Sequence, residues 1–521
     1  MIREGRQPQP RLAVPVSNER FGQIALWLVV IAGCGCRLAQ YLADPSYWHD
    51  EALVVLNVMH KSAPQLLGRL DYAQAAPPLF LMAQRAMFLA FGPGEYALRF
   101  VSLICGLASL CMFAWLCRRL LPGVIVPWVV AFFAFSDKLI WHAAEVKPYG
   151  GDALIAVILF FLALAPPVRL KGAKDQSGAD RGAASRFMAI SIFSAVALWF
   201  SFPTSILFGS LSLLFLPRLL RQGTRGGVIY FVGYALVGAS FLLLYHFSIK
   251  PQHVDYLSSY WIDDFPNYAH PLRIPFWLAG ELYSLCNHPY RSLGAIVAPL
   301  AILGIFGWRR RGRMDVAAAC LLPIGLAIVA AFARQYPFNG DRLSVYLIPG
   351  LFLLCGGGLM LLRDMCLDAG PNALKFAWVL PAFAIAGRGL GEASYRVIAP
   401  RSRSGIRPAV AFARAHRQPG EGLYLVGEPD EKSLSYATRL SLELLCYWPN
   451  PPAPWHAGMP DKLSTIPERR FWVVIATLPR HGTSKLSPLV KQLAPIAREK
   501  ERFLTPGGGG AAVLFERIKP R

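Results

Sequence analysis

Apolar residues in this chain come in blocks, and most of the blocks are long. Residues 21–43, 96–116, 124–135, 151–165, 187–200, 203–216, 228–247, 292–308, 316–332, 343–362 and 374–390 are rich in Leu, Ile, Val, Phe, Ala and Gly, with few charges among them. A helix that crosses a bilayer needs roughly 20 such residues. The pattern predicts a polytopic α-helical membrane protein with about eleven transmembrane helices, the shorter runs being tilted or re-entrant. Composition agrees: the 521 residues are 55% hydrophobic and only 16% charged, where ordinary globular domains carry about 25% charged residues. Residues 1–20 are polar and basic, and 21–43 is too long for the apolar core of a signal peptide. They read as a cytoplasmic tail leading into a membrane domain over 21–391.

The formal net charge is +22, and its placement argues against nucleic acid as a partner. Lys and Arg collect in alternate connectors: Arg118-Arg119, residues 169–186, 218–225 and 309–313. By the positive-inside rule these connectors and the N-terminus face the cytoplasm. The opposite set, 44–95, 136–150, 201–202, 248–290, 334–342 and everything after about 391, then faces outward. The expectation is a multi-pass protein of the cell inner membrane, in contact with membrane lipids, with its polar loops on the periplasmic side.

Those outward loops hold the unusual polar residues. Trp48-His49-Asp50-Glu51 follows the first apolar run, and acids beside a membrane helix are costly enough to be functional candidates. Asp50 would also suit the N-cap of a helix over 51–60, one carboxylate capping while the other reacts. Pro77-Pro78 ends one helix and starts another, so the loop should carry two helices along the membrane surface. The second outer loop contains His142, Glu145, Lys147 and Tyr149 ahead of an apolar run; a surface ion pair would explain Glu145 and Lys147 cheaply. Arg342 opens the run 343–362, where it either snorkels or clamps a phosphate through its planar fork of donors.

Past residue 391 the long apolar runs cease. Short strings at 423–426, 471–475 and 511–515 read as strands, and 407–416, 433–446 and 487–497 as helices. A small α/β outer domain over 392–521 is expected, the glycines at 507–510 forming a turn.

The order of these motifs resembles the GT-C superfamily of integral-membrane glycosyltransferases. It has an acidic pair after the first span, then Pro77-Pro78-Leu79-Phe80. Phe91-Gly92, Glu95 and Arg99 open the second span, and Glu145, Lys147, Pro148 and Tyr149 follow in the second outer loop. The nearest branch looks like the protein O-mannosyltransferases, the aminoarabinose transferases of lipid A and related bacterial sugar transferases, over roughly 21–362. The resemblance implies a polyprenyl-phosphate-linked sugar as donor, a hydroxyl acceptor (envelope lipid, glycan or protein) and inversion at the anomeric carbon. It makes Asp50 the general base and Glu51 a helper that orients the acceptor or binds a metal. Glu145, Lys147 and Tyr149 match the family's Glu-x-Arg-Pro-Tyr, with lysine for arginine, and Arg342 sits where relatives place a cation on the lipid phosphate. Relatives often have Lys or His where this chain has Ala76, and some have Arg where it has Leu53. Arg99, Lys147 and Arg342 are left as the phosphate-binding cations.

No certain cofactor follows. His49, Asp50, Glu51, His142 and Glu145 could gather a divalent ion, although scattered histidines at a membrane surface are ordinarily polar anchors and no HxxxH spacing occurs. Most of the ten cysteines fall in apolar runs as small hydrophobes; Cys286 and Cys446 lie outside them, with no spacing that argues for a disulfide. The alternative function is a multispan transporter or lipid flippase. Against it stand the lack of mid-membrane charge pairs and inverted repeats, and the gathering of polar loops on one face.

Overall fold

Breaks in the apolar runs decide where the helices stop. The computed structural model describes residues 16–165, 176–253, 259–369, 372–426, 442–449, 451–457, 459, 465–476, 490–491, 493–505 and 509–518. The tail 1–15, the basic stretch 169–175, most of the expected helix 433–446, the start of 487–497 and residues 507–508 lie outside them. The chain enters with α1 (Val16–Leu42), then forms α2 (His49–His60) and α3 (Pro78–Phe91) in the first large loop. It continues through α4 (Glu95–Leu120), α5 (Val126–Ala134), α6 (Asp137–His142) and α7 (Tyr149–Leu164). Then come α8 (Gln176–Ala197), α9 (Thr204–Leu220) and α10 (Thr224–Leu244), the last running on into a π-helical turn, Tyr245–Ile249. After α11 (Ile274–Asn287) the bundle is completed by α12 (Gly294–Arg310), α13 (Met314–Phe332), α14 (Ile348–Asp368) and α15 (Val379–Ile398).

Each apolar run falls on one of these helices. Among the described residues five stretches are long and apolar enough to cross a membrane: Gly22–Leu42, Glu95–Leu120, Thr224–Gln252, Met314–Phe332 and Arg342–Asp368. The run 124–135 is the clearest departure from expectation, because α5 has only nine residues. Arg37, fully buried in α1, donates to the carbonyls of Phe133 and Ala134 at 3.1 and 2.8 Å. Those carbonyls are thereby withdrawn from a continuing helix, and Ser136 Oγ caps the start of α6 instead. The first loop differs too. Residues 51–58 of α2 are all buried, since a stretch apolar on every side cannot lie on a surface. Pro78 does open α3 as N1.

Contacts between connectors show two unlike ends. At one end Arg186 donates to Leu162 O and Arg313 to Leu164 O, and Arg311 pairs with Asp364. At the other, Leu79 N–H meets Trp199 O, Ser136 Oγ meets Pro289 O, and Lys138 pairs with Asp341. Basic connectors therefore gather at one end and the polar loops at the other.

The C-terminal unit comprises α16 (Ile406–His416), β1 (Gly422–Val426), α17 (Leu442–Tyr447), β2 (Trp455–Ala457), β3 (Arg470–Ala476), β4 (Ala497–Leu504) and β5 (Gly510–Arg517). Sheet order is β2-β1-β3-β5-β4, with β1 parallel to β2 and β3, and β5 antiparallel to β3 and β4. Alternate residues serve two cores: Leu423, Leu425, Trp472 and Leu514 under α16, Tyr424, Phe471, Val473 and Phe515 on the other face. The three expected strands lie within β1, β3 and β5. Two strands were not expected. β2 is only three residues long, and β4 alternates charge with charge (Arg498, Glu499, Lys500, Glu501, Arg502), which hides its period. The unit docks on the loop end: Arg407 pairs with Asp44 at 2.7 Å and Glu95 at 3.0 Å, and Tyr447 OH donates to Glu95 at 2.6 Å.

Helices α12 and α14 approach closely enough that glycine is required. A Cβ on Gly307 would lie 2.0 Å from Gly357 O, and one on Gly304 1.9 Å from Leu354 O. Neither carbonyl can swing away as a side chain would. Gly307→Ala should lower stability by about 1–3 kcal/mol, read as a fall in the detergent melting temperature. Gly325→Ala on α13, where a Cβ meets nothing within 4 Å, should not lower it.

Candidate active site

The first turn of α2 delivers two neighbouring carboxylates to different surroundings. Glu51, 1% exposed, turns inward and receives the Arg99 guanidinium bidentately, Nε to Oε1 at 2.9 Å and Nη2 to Oε2 at 2.8 Å. Its oxygens also accept Val146 N–H at 2.9 Å and Trp48 N–H at 3.3 Å. Glu51, not Asp50, is thus the residue that caps α2. Burial raises the Glu51 carboxyl, and the bidentate guanidinium is what holds it ionised. Arg99 was expected among the phosphate-binding cations. It is instead 1% exposed, committed to Glu51 and to the carbonyls of Pro45 and Ser46.

Asp50 points the other way, toward two cations from distant parts of the chain. Its Oδ1 lies 3.1 Å from Lys147 Nζ and its Oδ2 2.5 Å from Arg342 Nη1. Burial would raise this carboxyl, but Lys147 and Arg342 outweigh it and hold Asp50 below its ordinary range. Side-chain exposure is 18% for Asp50 and Arg342 and 7% for Lys147, so the triad is largely enclosed but still open to solvent. Lys147 also donates to Gln74 Oε1 at 3.0 Å. Ala76 offers its backbone N–H to Gln252 Oε1 at 2.9 Å.

Arg342 is aimed by its own segment. Gly340 packs so tightly that a Cβ would meet the backbone of Ser284 and Leu285 at 2.2–2.3 Å. Its N–H is held by Glu281 Oε2 at 3.1 Å, and the Trp261 ring lies 5.4 Å from the Arg342 guanidinium carbon.

The remaining expected residues form a layer beside the triad. Glu145, buried, accepts from Trp48 Nε1 at 3.0 Å and from His142 Nδ1 at 2.8 Å. Burial would push its carboxyl up, but His142 outweighs burial and holds it low. Tyr149, also buried, sets its ring edge-on to His142 with centroids 4.9 Å apart. His49 is exposed on the first turn of α2. Among the described residues no three His, Cys, Asp or Glu side chains converge on a point suited to a metal. The set proposed from sequence does not fit one, since Glu51 is saturated by donors, Asp50 faces cations, and Glu145 is bonded at both oxygens.

Other contributors gave no sequence signal. Arg403 lies in the link between α15 and α16, and its guanidinium carbon sits 4.2 Å from the Trp48 ring centroid and 5.3 Å from that of Trp141. It is exposed, and its charge also helps to hold Glu145 low. Gln74 and Trp261 were likewise unmarked. Only the tertiary fold brings Gln74 to Lys147, Trp261 to Arg342 and Arg403 to Trp48. All ten cysteines are free; Cys446 is buried with its Sγ 3.9 Å from Ala52 O.

The chain matches no protein-family model and no curated protein. Among solved structures it is similar to the following two. One is ArnT from Cupriavidus metallidurans bound to undecaprenyl phosphate, 14% identical, with a TM-score of 0.48 and coverage of 94% of this chain and 98% of that one. Another is the Archaeoglobus fulgidus oligosaccharyltransferase in complex with Zn and sulfate, 12% identical, with a TM-score of 0.43 and coverage of 86% and 68%. These likenesses concern the path of the chain alone.

The two carboxylates should separate by phenotype. Arg99→Met leaves Glu51 as an unpaired buried charge and should cost about 3–5 kcal/mol, seen as a large drop in melting temperature. Adding Glu51→Gln to that variant should recover part of the loss. If Arg99→Met melts like the wild type, Glu51 is not held as described.

Proposed function

We propose that this chain is a membrane glycosyltransferase that moves a sugar from a polyprenyl-phosphate donor to a hydroxyl acceptor, inverting the anomeric carbon. The observation that carries the reading is Asp50 held between Lys147 and Arg342 at the polar-loop end of the bundle. Two converging cations suit a lipid phosphate, and a carboxylate between them suits a base for the attacking hydroxyl. The positive-inside rule puts this end on the periplasmic side of the inner membrane, with the N-terminus and basic connectors in the cytoplasm.

In the step proposed, the acceptor oxygen bonds to the anomeric carbon as the carbon–oxygen bond to phosphate breaks. The electron pair leaves with the polyprenyl phosphate, and the hydroxyl proton passes to Asp50. Lys147 and Arg342 stabilise the charge that grows on the phosphate. Their grip on Asp50 gives the step an order: an arriving phosphate competes for the same cations, loosening their hold on the carboxylate and raising its basicity. Arg403, exposed on the Trp48 ring, adds a third cation at the rim. Glu51 and Glu145 have both oxygens committed, which favours a single-carboxylate inverting route over one through a covalent glycosyl-enzyme. Glu51 then acts as a positioning residue for Asp50. The membrane domain is assigned to 21–391 and the outer α/β domain to 392–521.

Asp50→Asn should reduce transfer by about 10²–10⁴-fold while the melting temperature and polyprenyl-phosphate binding persist. Full transfer in that variant excludes Asp50 as base. The pH profile offers a second test. Because the cations depress Asp50 in the free enzyme, the acid limb of kcat/KM, which reports that state, should lie below the ordinary aspartate range. Lys147→Ala removes one cation, so the folded-state pKa rises and the limb should move to higher pH. An unmoved limb contradicts the assignment.

A further inference from the structure

Next to the triad lies an open pocket of about 520 Å³, within the size range of small-molecule clefts. Trp261 stands in its wall and also stacks on Arg342, the cation that grips Asp50. Asp341, the residue before Arg342, lines it too. On its other side His288 stacks on His142 with centroids 6.4 Å apart, and His142 is bonded to Glu145. The pocket is therefore separated from Arg342 by the Trp261 ring alone, and on its other side it reaches Glu145 through His142.

Its lining has a definite chemistry. Tyr260 and Trp261 offer aromatic rings; Asn287 and Asn339 offer amides; Asp263, Asp264, Glu281 and Asp341 offer carboxylates. A ring bearing several hydroxyls is matched by such a set, because carboxylates and amides accept its hydroxyl protons while an aromatic face covers its C–H face. The charge is uneven. Among the described lining residues four carboxylates stand against two cations, Lys138 and Arg291; Arg342 also acts on Asp264, and Lys138 lies 3.7 Å from Asp341. His288 bonds Asp341 through Nδ1 at 3.2 Å, while burial pushes it down to about 4.

We propose that this pocket seats the sugar ring of the lipid-linked donor, accepting neutral or amine-bearing rings and rejecting rings that carry a carboxylate. The inference rests on the glycosyltransferase reading above and adds to it a class of sugar. The donor is favoured over the acceptor by connectivity. The donor sugar is bonded directly to the phosphate, so it must lie beside the phosphate-binding cation, as this pocket lies beside Arg342. A uronate in the same place would bring a fifth negative charge against the carboxylates, and like charges brought together across an interface are strongly unfavourable.

The test uses the full-length protein in nanodiscs and four ligands: decaprenyl phosphate and its glucosyl, glucosaminyl and glucuronosyl esters. The glucosyl and glucosaminyl esters should bind more tightly than decaprenyl phosphate, and the glucuronosyl ester about tenfold or more weaker than the glucosyl. In Asp263→Asn/Asp264→Asn the penalty on the glucuronosyl ester should shrink. Asp263→Asn alone, at an exposed side chain, should show the same trend if the double variant fails to fold. Equal binding of the glucosyl and glucuronosyl esters, or a penalty unchanged in the variants, overturns the pocket assignment while leaving the transferase reading intact. Failure of decaprenyl phosphate itself to bind overturns the donor reading, and this inference with it.

Discussion

The ion pair between Glu51 and Arg99 is the contact on which the site depends. Both side chains are 1% exposed, so their desolvation is costly and has to be offset by geometry. The geometry is complete: two guanidinium bonds on one carboxylate, two backbone N–H groups on the same oxygens, and two carbonyls on the arginine. Through these bonds one pair fixes four pieces of chain: the loop after α1, the first turn of α2, the start of α4, and the loop before α7. With Glu51 pinned inward, helical geometry turns its neighbour Asp50 to another face. Lys147, one residue beyond the Val146 that bonds Glu51, is carried toward that face by the same anchor.

The rest of the site is assembled by segments that share no sequence proximity. Arg342 depends on the close approach at Gly340 and on the clasp of Glu281. The C-terminal unit takes part as well. Arg407 and Tyr447 both bond Glu95 at the start of α4, and the link before α16 lays Arg403 on Trp48. A C-terminal unit that docks on α4, with a preceding link that lays a guanidinium on Trp48, is part of the site's construction.

Much of this was legible in the sequence, for physical reasons that also mark where legibility ended. Runs of apolar residues set the helices because the hydrophobic pattern is local, and alternate basic connectors separated the two ends because charge placement is local as well. Asp50, Lys147 and Arg342 were singled out as polar residues in loops expected on one face, and the structure brings them together. The failures share a cause. Arg99 looked available because its partner is 48 residues away, and the α5 run looked like a span because Arg37's hold on its last carbonyls is a tertiary contact. The cap of α2 was given to the wrong acid because Asp50 and Glu51 differ only in what surrounds them. Arg403, Gln74 and Trp261 carry no pattern at all, and β4 hides its period in alternating charges.

The central claim is that Lys147 and Arg342 exchange Asp50 for a lipid phosphate. A cryo-electron microscopy structure of the full-length protein in nanodiscs with decaprenyl phosphate tests it directly. The account predicts phosphate density within hydrogen-bond distance of Lys147 Nζ and the Arg342 guanidinium. The Asp50 carboxylate should have drawn away from at least one of them, while the Glu51–Arg99 pair stays unchanged. Phosphate bound elsewhere, with both contacts to Asp50 intact, would contradict it.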